Sequence, residues 1–471
     1  HSIPLPDLLK VLQEPLCCMD YFAVGGKPLL SQFPPQFIPR VSSYLSAVND
    51  PSASGADKPA QARGGGWYPT EPATLSGYPA PFEPPAQASR CDPQPCLPGR
   101  ESKESGEGRE KAPAESERRR GKVAQKPLSS YFDTRAVQEW PADSFLTIKK
   151  LQDAARNHGH VFLMKDLVAD RLVAVKQMPN GWVRRSHEEF IRHNPSETEL
   201  PWQDVGCCKF LVDSGYEYGC DLLGVYRDKT YTYVVSACAT VGELFSWSED
   251  GEPPGYERER AVLPIARQMF LAVQQLHDFN IAHRDLSLEN ILLTKDEGSE
   301  KLEVRVVDFS MASTNRFFRR VVHGKASYQA PEMHEDKEFD AYLADVFSLG
   351  VSLYAMSVQD YPWLSTRPGG CKCFQFVKKH GFRQYLQKRK LRQRTHLRVG
   401  DVMSEPLTAL LEGLLVTDPA RRLTLGERVW SQAAAPGVPP RRSVWDEPWL
   451  EHGPGPDPSS SDAERHLISA E

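Results

Sequence analysis

The chain has 471 residues and a net charge of −5, with 57 lysines and arginines against 62 aspartates and glutamates. That length allows one large domain or two of ordinary size, and so balanced a charge does not favour nucleic acid or an anionic membrane as a partner. Its 10 cysteines are too sparse for a small disulfide-stapled scaffold. We therefore expect an intracellular protein in a reducing compartment, cytoplasmic or also nuclear.

Zinc sites, membrane spans and secretory signals find no support in the sequence. Cys91 with Cys96, and Cys371 with Cys373, lack a CxxC partner and a nearby set of histidines, so no zinc site is expected. A membrane-spanning helix needs about 18 or more consecutive apolar residues, and no such run is present. Residues 1–24 have no basic region ahead of their apolar stretch, so no secretory signal is visible.

Residues 1–135 are predicted to be largely disordered, with short apolar segments that act either as packing helices or as partner motifs. Between residues 48 and 128, proline, glycine, alanine, serine and glutamate dominate, a composition that buries too little apolar surface to offset ordering entropy. Two proline pairs make proline-recognition or docking partners an expectation for this region. The basic run at 118–122 is either a nuclear signal or, more ordinarily, a solvated charge run.

From residue 136 to 452 the composition is globular, which predicts one domain, and a disordered tail is predicted at 453–471. Within the domain, strand patterns precede helix patterns. Short strands are predicted at 161–163, 172–175, 231–235 and 304–307, and a long amphipathic helix is predicted at 261–279. This order favours an α+β architecture with a small sheet lobe followed by a larger helical lobe.

The most informative segment reads His-Arg-Asp-Leu-Ser-Leu-Glu-Asn at 283–290, followed by Asp308-Phe309-Ser310 and by Ala-Pro-Glu at 330–332. Together these residues supply a carboxylate able to hold a substrate hydroxyl, and an amide and a second carboxylate able to hold a metal. Phosphoryl transfer from a nucleotide needs those groups. The segment closely resembles the catalytic and activation segments of eukaryotic serine/threonine protein kinases.

The resemblance implies a bilobal, protein-kinase-like α+β fold whose small lobe is a mainly antiparallel sheet. It implies that Asp285 is the catalytic base that accepts the proton of the substrate hydroxyl. It also implies that Asn290 and Asp308 bind Mg²⁺ and that ATP is the phosphoryl donor.

Lys176 ends the pattern Leu-Val-Ala-Val-Lys and resembles the lysine of the family's third strand, which neutralises nucleotide phosphates. The glycine-rich loop upstream is poor, because only Gly159 matches a glycine and the first two fall on Ala154 and Arg156. The resemblance places the other nucleotide contacts at Val161, Ala174, the hinge residues Ala237 and Ala239, and Glu243.

The carboxylate partner expected for Lys176 lies between residues 197 and 204. Pro201 suits the first turn of a helix, with acidic residues just before it or within it. Glu199 is the first candidate and Asp204 is the second.

In the second half of the chain, two further resemblances concern structure. Asp345 matches the aspartate at the start of a buried helix that orients the catalytic loop. Arg422 matches the arginine that pairs with Glu332, and a buried charged pair is tolerated only when both members are present.

Three positions depart from the family. Ser287 stands where a lysine contacts the γ-phosphate, and Lys325 stands where a threonine bonds that lysine and the catalytic aspartate. We hypothesise an exchange in which Lys325 supplies the charge, as a catalytic residue, while Ser287 bonds Asp285; the alternative is that Lys325 points to solvent. Ser310 replaces a glycine, which is expected to restrict the backbone there.

The sequence therefore predicts an ATP- and Mg²⁺-dependent kinase that phosphorylates serine or threonine in protein substrates. The alternative is a pseudokinase that uses the fold for nucleotide binding or as a scaffold, since the loop glycines and two motif residues are replaced. A kinase of small molecules is a more remote reading, because the Ala-Pro-Glu motif favours a peptide-binding lobe.

Overall fold

The computed structural model describes residues 123–154, 158–295, 298, 301–432 and 441–455, within a unit that spans residues 112–471. The predictions for residues 1–122, for Arg156 and for the tail beyond residue 455 lie outside the described residues.

Among the described residues, one sheet of six strands forms the smaller lobe, in the spatial order β1-β5-β6-β4-β3-β2. The strands are β1 (Gln138–Glu139), β2 (Phe145–Ala154), β3 (Gly159–Asp166), β4 (Arg171–Pro179), β5 (Leu222–Arg227) and β6 (Tyr231–Ala237). All neighbours are antiparallel except β1 and β5, which are parallel. The three strands predicted in this region lie within β3, β4 and β6.

The two faces of this sheet differ because side chains alternate along a strand. Val173 and Val175 in β4 are fully buried, and they pack with Met164 and Val235 in the core of the smaller lobe. The intervening residues of β4 point to the opposite face. That face carries the predicted nucleotide-binding positions.

Three helices accompany the sheet: α1 (Asn180–Val183), α2 (His187–His193) and α3 (Pro201–Ser214). Pro201 occupies the first turn of α3, where a missing N–H costs nothing. Gly215 ends the helix in the left-handed region, at φ 71°, which glycine adopts without steric cost.

The larger lobe is mainly helical, as predicted. Its helices are α4 (Leu244–Glu249), α5 (Tyr256–Asp278), α6 (Ala341–Val358), α7 (Lys372–His380), α8 (Phe382–Lys388), α9 (Val399–Val402), α10 (Glu405–Leu414), α11 (Arg428–Gln432) and α12 (Pro448–His452). Its short strands are β7 (Gly242–Glu243), β8 (Ile291–Thr294), β9 (Glu303–Val306), β10 (Phe317–Arg319) and β11 (Glu338–Asp340). The predicted long helix corresponds to α5, which begins five residues earlier than expected, at Tyr256. The two-lobed α+β fold is confirmed.

Helix α6 is the centre of the larger lobe. By length and composition it is apolar enough to cross a membrane, yet all 18 of its residues are buried inside the lobe. A core helix passes the same test, so this helix does not indicate a membrane span.

The folded region begins earlier than the predicted boundary at residue 136. Ala124 and Leu128 are buried, at 0% and 2% exposure, and belong to the core of the larger lobe. The composition of residues 48–128 indicated disorder, but burial of these two side chains against α3 and α5 is a long-range contact that composition does not reveal.

Candidate active site

The loop between α5 and β8 is held in place by Asp345, near the start of α6. Its carboxylate is 1% exposed and accepts from two consecutive backbone amides, those of His283 and Arg284, each at 2.8 Å. Arg284 has a φ of 69°, a left-handed conformation that is costly for a residue with a Cβ. The hydrogen bonds that these two backbone amides donate to Asp345 offset that cost and fix the conformation of the loop.

This loop brings Asp285 and Asn290 together. The Asn290 side-chain amide donates to the Asp285 carbonyl at 2.8 Å and to the Asp285 carboxylate at 3.2 Å. Because its nitrogen is used in this way, the amide oxygen of Asn290 is the atom left to bind a cation. Gly324, at φ +79°, approaches so closely that a Cβ there would lie 3.3 Å from Asp285 Oδ1.

Asp308 follows β9 and has a left-handed φ of 62°. Burial opposes its ionisation, but the Lys176 ammonium and hydrogen bonds from Ser310 outweigh burial and hold the pKa of Asp308 below its usual range. The carboxylate is therefore ionised at neutral pH. Ser310 is outside the left-handed region, so a serine fits the backbone at this position, and its hydroxyl and its amide both bond the Asp308 carboxylate.

The partner of Lys176 is Asp204, the second candidate, and the preference for Glu199 was wrong. Lys176 Nζ lies 3.1 Å from Asp204 Oδ2, because Asp204 occupies the first turn of α3 while Glu199 precedes the helix. Burial opposes the charge on Lys176, but Asp204 and Asp308 outweigh it and raise the pKa of Lys176. The lysine is therefore a fixed cation between two carboxylates.

Asp204 has a second contact that the sequence analysis missed. Its other oxygen, Oδ1, accepts from the backbone N–H of Phe309 at 3.0 Å. One carboxylate thus ties α3 both to the lysine of β4 and to the residue after Asp308. No local sequence signal announces this bond, since its partners are far apart in the chain.

The predicted nucleotide-binding positions share one face of the sheet. Val161 lies opposite Lys176 in the pairing of β3 with β4, and Ala174 lies opposite Ser236 in the pairing of β4 with β6. Gly159 is two residues before Val161 and therefore on the same face. The structure therefore brings these positions together, and a nucleotide contact by each of them stays a prediction.

The hinge and Glu243 have contacts of their own. The Ala237 amide donates to the Asp221 carbonyl at 2.9 Å, which fixes the end of β6. Burial and the negative charge of Glu289 raise the pKa of Glu243, and the positive charge of Lys325 opposes this rise. Glu243 therefore lies near the catalytic loop, and nucleotide contacts by Glu243, Ala237 and Ala239 stay predictions.

Lys325 points toward the catalytic loop. Its Nζ donates to the Ser287 hydroxyl at 2.8 Å and lies 2.9 Å from the Glu289 carboxylate. Ser287 is fully buried, so the ammonium is directed at the loop that carries Asp285. The expected bond between Ser287 and Asp285 stays a prediction.

The ion pair expected between Arg422 and Glu332 is present. Arg422 Nη2 donates to Glu332 Oε2 at 2.9 Å, with the two side chains 0% and 9% exposed. The guanidinium also donates to the carbonyls of Leu343 and Val416. The segment after Lys325 is thereby attached to the larger lobe.

The donor set fits a hard cation. Asn290 and Asp308 offer an amide oxygen and an ionised carboxylate, the ligand types that Mg²⁺ prefers. Among the described residues, no group of three or more histidine, cysteine or acidic side chains is arranged to hold a metal. A cation at this site therefore needs further oxygen ligands, which water or nucleotide phosphates can supply.

Comparison with known proteins gives a consistent result. The family model described as "Protein kinase domain" matches residues 157–433, more than half of the chain. Serine/threonine-protein kinase SAPK5 of Oryza sativa subsp. japonica is 29% identical over 275 residues, covering 58% of this chain and 65% of that protein. SAPK3 of Oryza sativa subsp. indica is 32% identical over 281 residues, covering 58% and 72%. Serine/threonine-protein kinase SIK2 of Gallus gallus is 28% identical over 251 residues, covering 51% and 27%.

Proposed function

Because this chain belongs to the protein kinase family, we propose that it transfers the γ-phosphoryl group of ATP to serine or threonine hydroxyls of protein substrates. The supporting observation is that Asp285, Asn290, Asp308 and the Lys176–Asp204 pair are all present in one site. Its relatives are named serine/threonine kinases. The sparse cysteines and balanced charge support an intracellular site of action.

Each residue has a role in this reaction. The substrate hydroxyl binds to Asp285, which orients its oxygen toward the γ-phosphorus and accepts its proton as the new O–P bond forms and ADP leaves. Asn290 and Asp308 would hold magnesium, which would neutralise the negative charge of the nucleotide phosphates. Lys176, fixed by Asp204, supports the phosphates of the nucleotide.

Lys325 is proposed to provide the charge at the transferring phosphoryl group. Charge develops on the equatorial oxygens in the transition state, and a fixed cation stabilises it whichever loop carries that cation. The ammonium already lies against the catalytic loop, at Ser287. This contact supports an active kinase over a pseudokinase, because Lys325 supplies the positive charge of the lysine that Ser287 replaces.

A phosphoryl-transfer assay tests the proposal. The purified chain is incubated with Mg-ATP and a degenerate library of serine- and threonine-containing peptides, and transfer is measured by radiolabel and mass spectrometry. Asp285→Asn should reduce turnover by at least about 10³-fold, because it removes the base while preserving shape. Asp213→Asn, on the exposed part of α3, is the matched control and should retain turnover. Nucleotide binding without transfer in the wild type would favour the pseudokinase.

A further inference from the structure

A short segment ahead of the family-matched region lies across α3 and the end of α5. We define residues 123–136 as the N-terminal clamp; it contains the 3-10 helices Leu128–Tyr131 and Thr134–Ala136. Ala124 and Leu128 are buried in the core of the larger lobe. The family match begins only at residue 157, so the clamp is an addition to the matched domain.

Aromatic side chains connect the clamp to α3. The ring of Tyr131 lies 4.8 Å from that of Phe210, and Phe132 stacks on Trp202 at 6.2 Å with an interplanar angle of 18°. Aromatic contacts of this kind are stabilising beyond the apolar area that they bury. The clamp therefore packs along α3 at both Trp202 and Phe210.

Backbone hydrogen bonds connect the clamp to the end of α5. The Ala124 amide donates to the Phe279 carbonyl at 2.8 Å, and the Asn280 side chain donates to the Ala124 carbonyl at 3.2 Å. The catalytic loop starts three residues later, at His283. The clamp thus contacts the residues between α5 and His283 as well as α3.

Gly206 is the place where the clamp crosses α3. A Cβ at this position would lie 2.1 Å from the Leu128 carbonyl oxygen, which no real contact allows. Glycine inside a helix is less favourable than alanine. The helix bears this cost at the turn where the Leu128 backbone crosses it, two residues after Asp204.

We propose that the N-terminal clamp is a positioning element that holds α3 where Asp204 pairs with Lys176 and with the Phe309 amide. The proposal rests on the proposed function, since it makes phosphoryl transfer depend on clamp docking. Release of the clamp removes one of the contacts that anchor α3 to the larger lobe, the others including the Gln203 bonds to the Ser310 and Ala312 carbonyls. The Lys176–Asp204 pair is then lost although every catalytic residue is still present.

Gly206→Ala is the first test in the full chain. Alanine is the better helix former, so α3 itself is not weakened, but its Cβ displaces Leu128. We expect turnover to fall at least tenfold, together with increased protease sensitivity of the clamp. Gly181→Ala is the matched control, because nothing lies within 4 Å of a Cβ at that position and turnover should be unchanged. Wild-type turnover with a released clamp would overturn the proposal.

Rescue in trans separates positioning from simple misfolding. Leu128→Asp releases the clamp by placing a charge in the core but leaves its binding surface on α3 intact. A synthetic peptide of residues 122–137, added in excess, should restore turnover at least fivefold, and the same peptide with Leu128→Asp should not. Equal turnover with the two peptides, or none with either, contradicts the proposal.

A readout that does not need activity distinguishes failure of this inference from failure of the proposed function. The hydrogen-exchange rate of the α3 amides, residues 202–214, should increase at least tenfold in Leu128→Asp and return to the wild-type rate when the wild-type peptide is added. If the wild type transfers no phosphate yet α3 protection follows the clamp, the proposed kinase activity fails alone. If the wild type is active and the hydrogen exchange of α3 does not change when the clamp is released, only the clamp proposal fails.

Discussion

Ser287 and Lys325 show how two residues can exchange chemical groups without changing what a site offers. The ammonium comes from the activation segment, and the hydroxyl that accepts from it comes from the catalytic loop, 2.8 Å away. Glu289 also lies 2.9 Å from the ammonium. The geometry agrees with the hypothesised exchange and disfavours a Lys325 side chain directed to solvent, while its catalytic role awaits measurement.

The exchange predicts a specific pattern of turnover. Lys325→Ala should lower kcat on the order of 10²-fold with little change in KM for ATP, because the lost charge acts mainly in the transition state. Ser287→Lys alone should also lower kcat, since it places two ammonium groups side by side. The double variant Ser287→Lys, Lys325→Thr should recover most of the activity. Steady-state kinetics over this double-mutant cycle measures the coupling.

The control for this cycle is Lys337→Ala, because Lys337 is 81% exposed and pairs with the surface residue Glu335. Its kcat should equal that of the wild type. A Lys325→Ala variant with wild-type kcat would end the hypothesis.

At the level of elements, the 3-10 helix Pro331–His334 is attached to the larger lobe by one buried ion pair. Glu332 lies in this helix, and Arg422 reaches it from the loop after α10. The arginine also stacks over Phe347 of α6 at 5.0 Å. The position of the activation segment therefore depends on the buried positive charge of Arg422.

Removing one member of this pair should be costly. Arg422→Met is expected to reduce the free energy of unfolding by about 3–5 kcal/mol, because Glu332 is left buried and uncompensated. Adding Glu332→Gln should recover part of the loss, although the bonds to Leu343 and Val416 stay broken. Chemical denaturation of the two variants measures the difference; a double variant less stable than the single one would contradict this account.

At the level of the whole molecule, His277 joins several parts of the larger lobe. It lies in α5, is fully buried, and contacts Asp345 at 3.1 Å and Glu427 at 2.7 Å. Burial opposes its charge, but the hydrogen bonds that its ring donates to Asp345 and Glu427 outweigh burial and raise the pKa of His277 to about 9. Asp345 also accepts hydrogen bonds from the amides of His283 and Arg284, so the imidazolium helps to position the loop that carries Asp285.

This shift makes stability depend on pH. Below pH 6.5, the ordinary pKa of histidine, both the folded and the unfolded chain bind the proton, and the full stabilisation is present. Between pH 6.5 and about 9 only the folded chain holds the proton, so stability falls as pH rises, by on the order of 3 kcal/mol. Denaturation of the wild type across this range measures the slope. The variant His277→Gln, Glu427→Gln should lose most of it, and an unchanged slope would refute the role of His277.

The chemistry of the site was predictable because its groups lie in short, dense motifs. Asp285 and Asn290 are close in sequence, and Lys176 ends a recognisable buried strand, so their types and spacing indicate phosphoryl transfer directly. Strands β3, β4, β6 and β9 and helix α5 were predictable from apolar periodicity, with errors at their ends, whereas the other strands, β2 and β5 among them, were not predicted. The choice between Glu199 and Asp204 was not, because both are acidic residues next to Pro201 and only the packed position of α3 selects one.

The sequence by itself determined the family, the two-lobed order of elements and the identity of the reacting groups, since each depends on local pattern. Only the tertiary structure decided which carboxylate meets Lys176, where the Lys325 ammonium lies, and that residues 123–136 belong to the folded unit. These are contacts between segments far apart in the chain, and their geometry follows from how α3 packs between the sheet, the clamp and α5. The need for glycine at position 206 cannot be predicted from the sequence, because it arises from the contact with the Leu128 backbone.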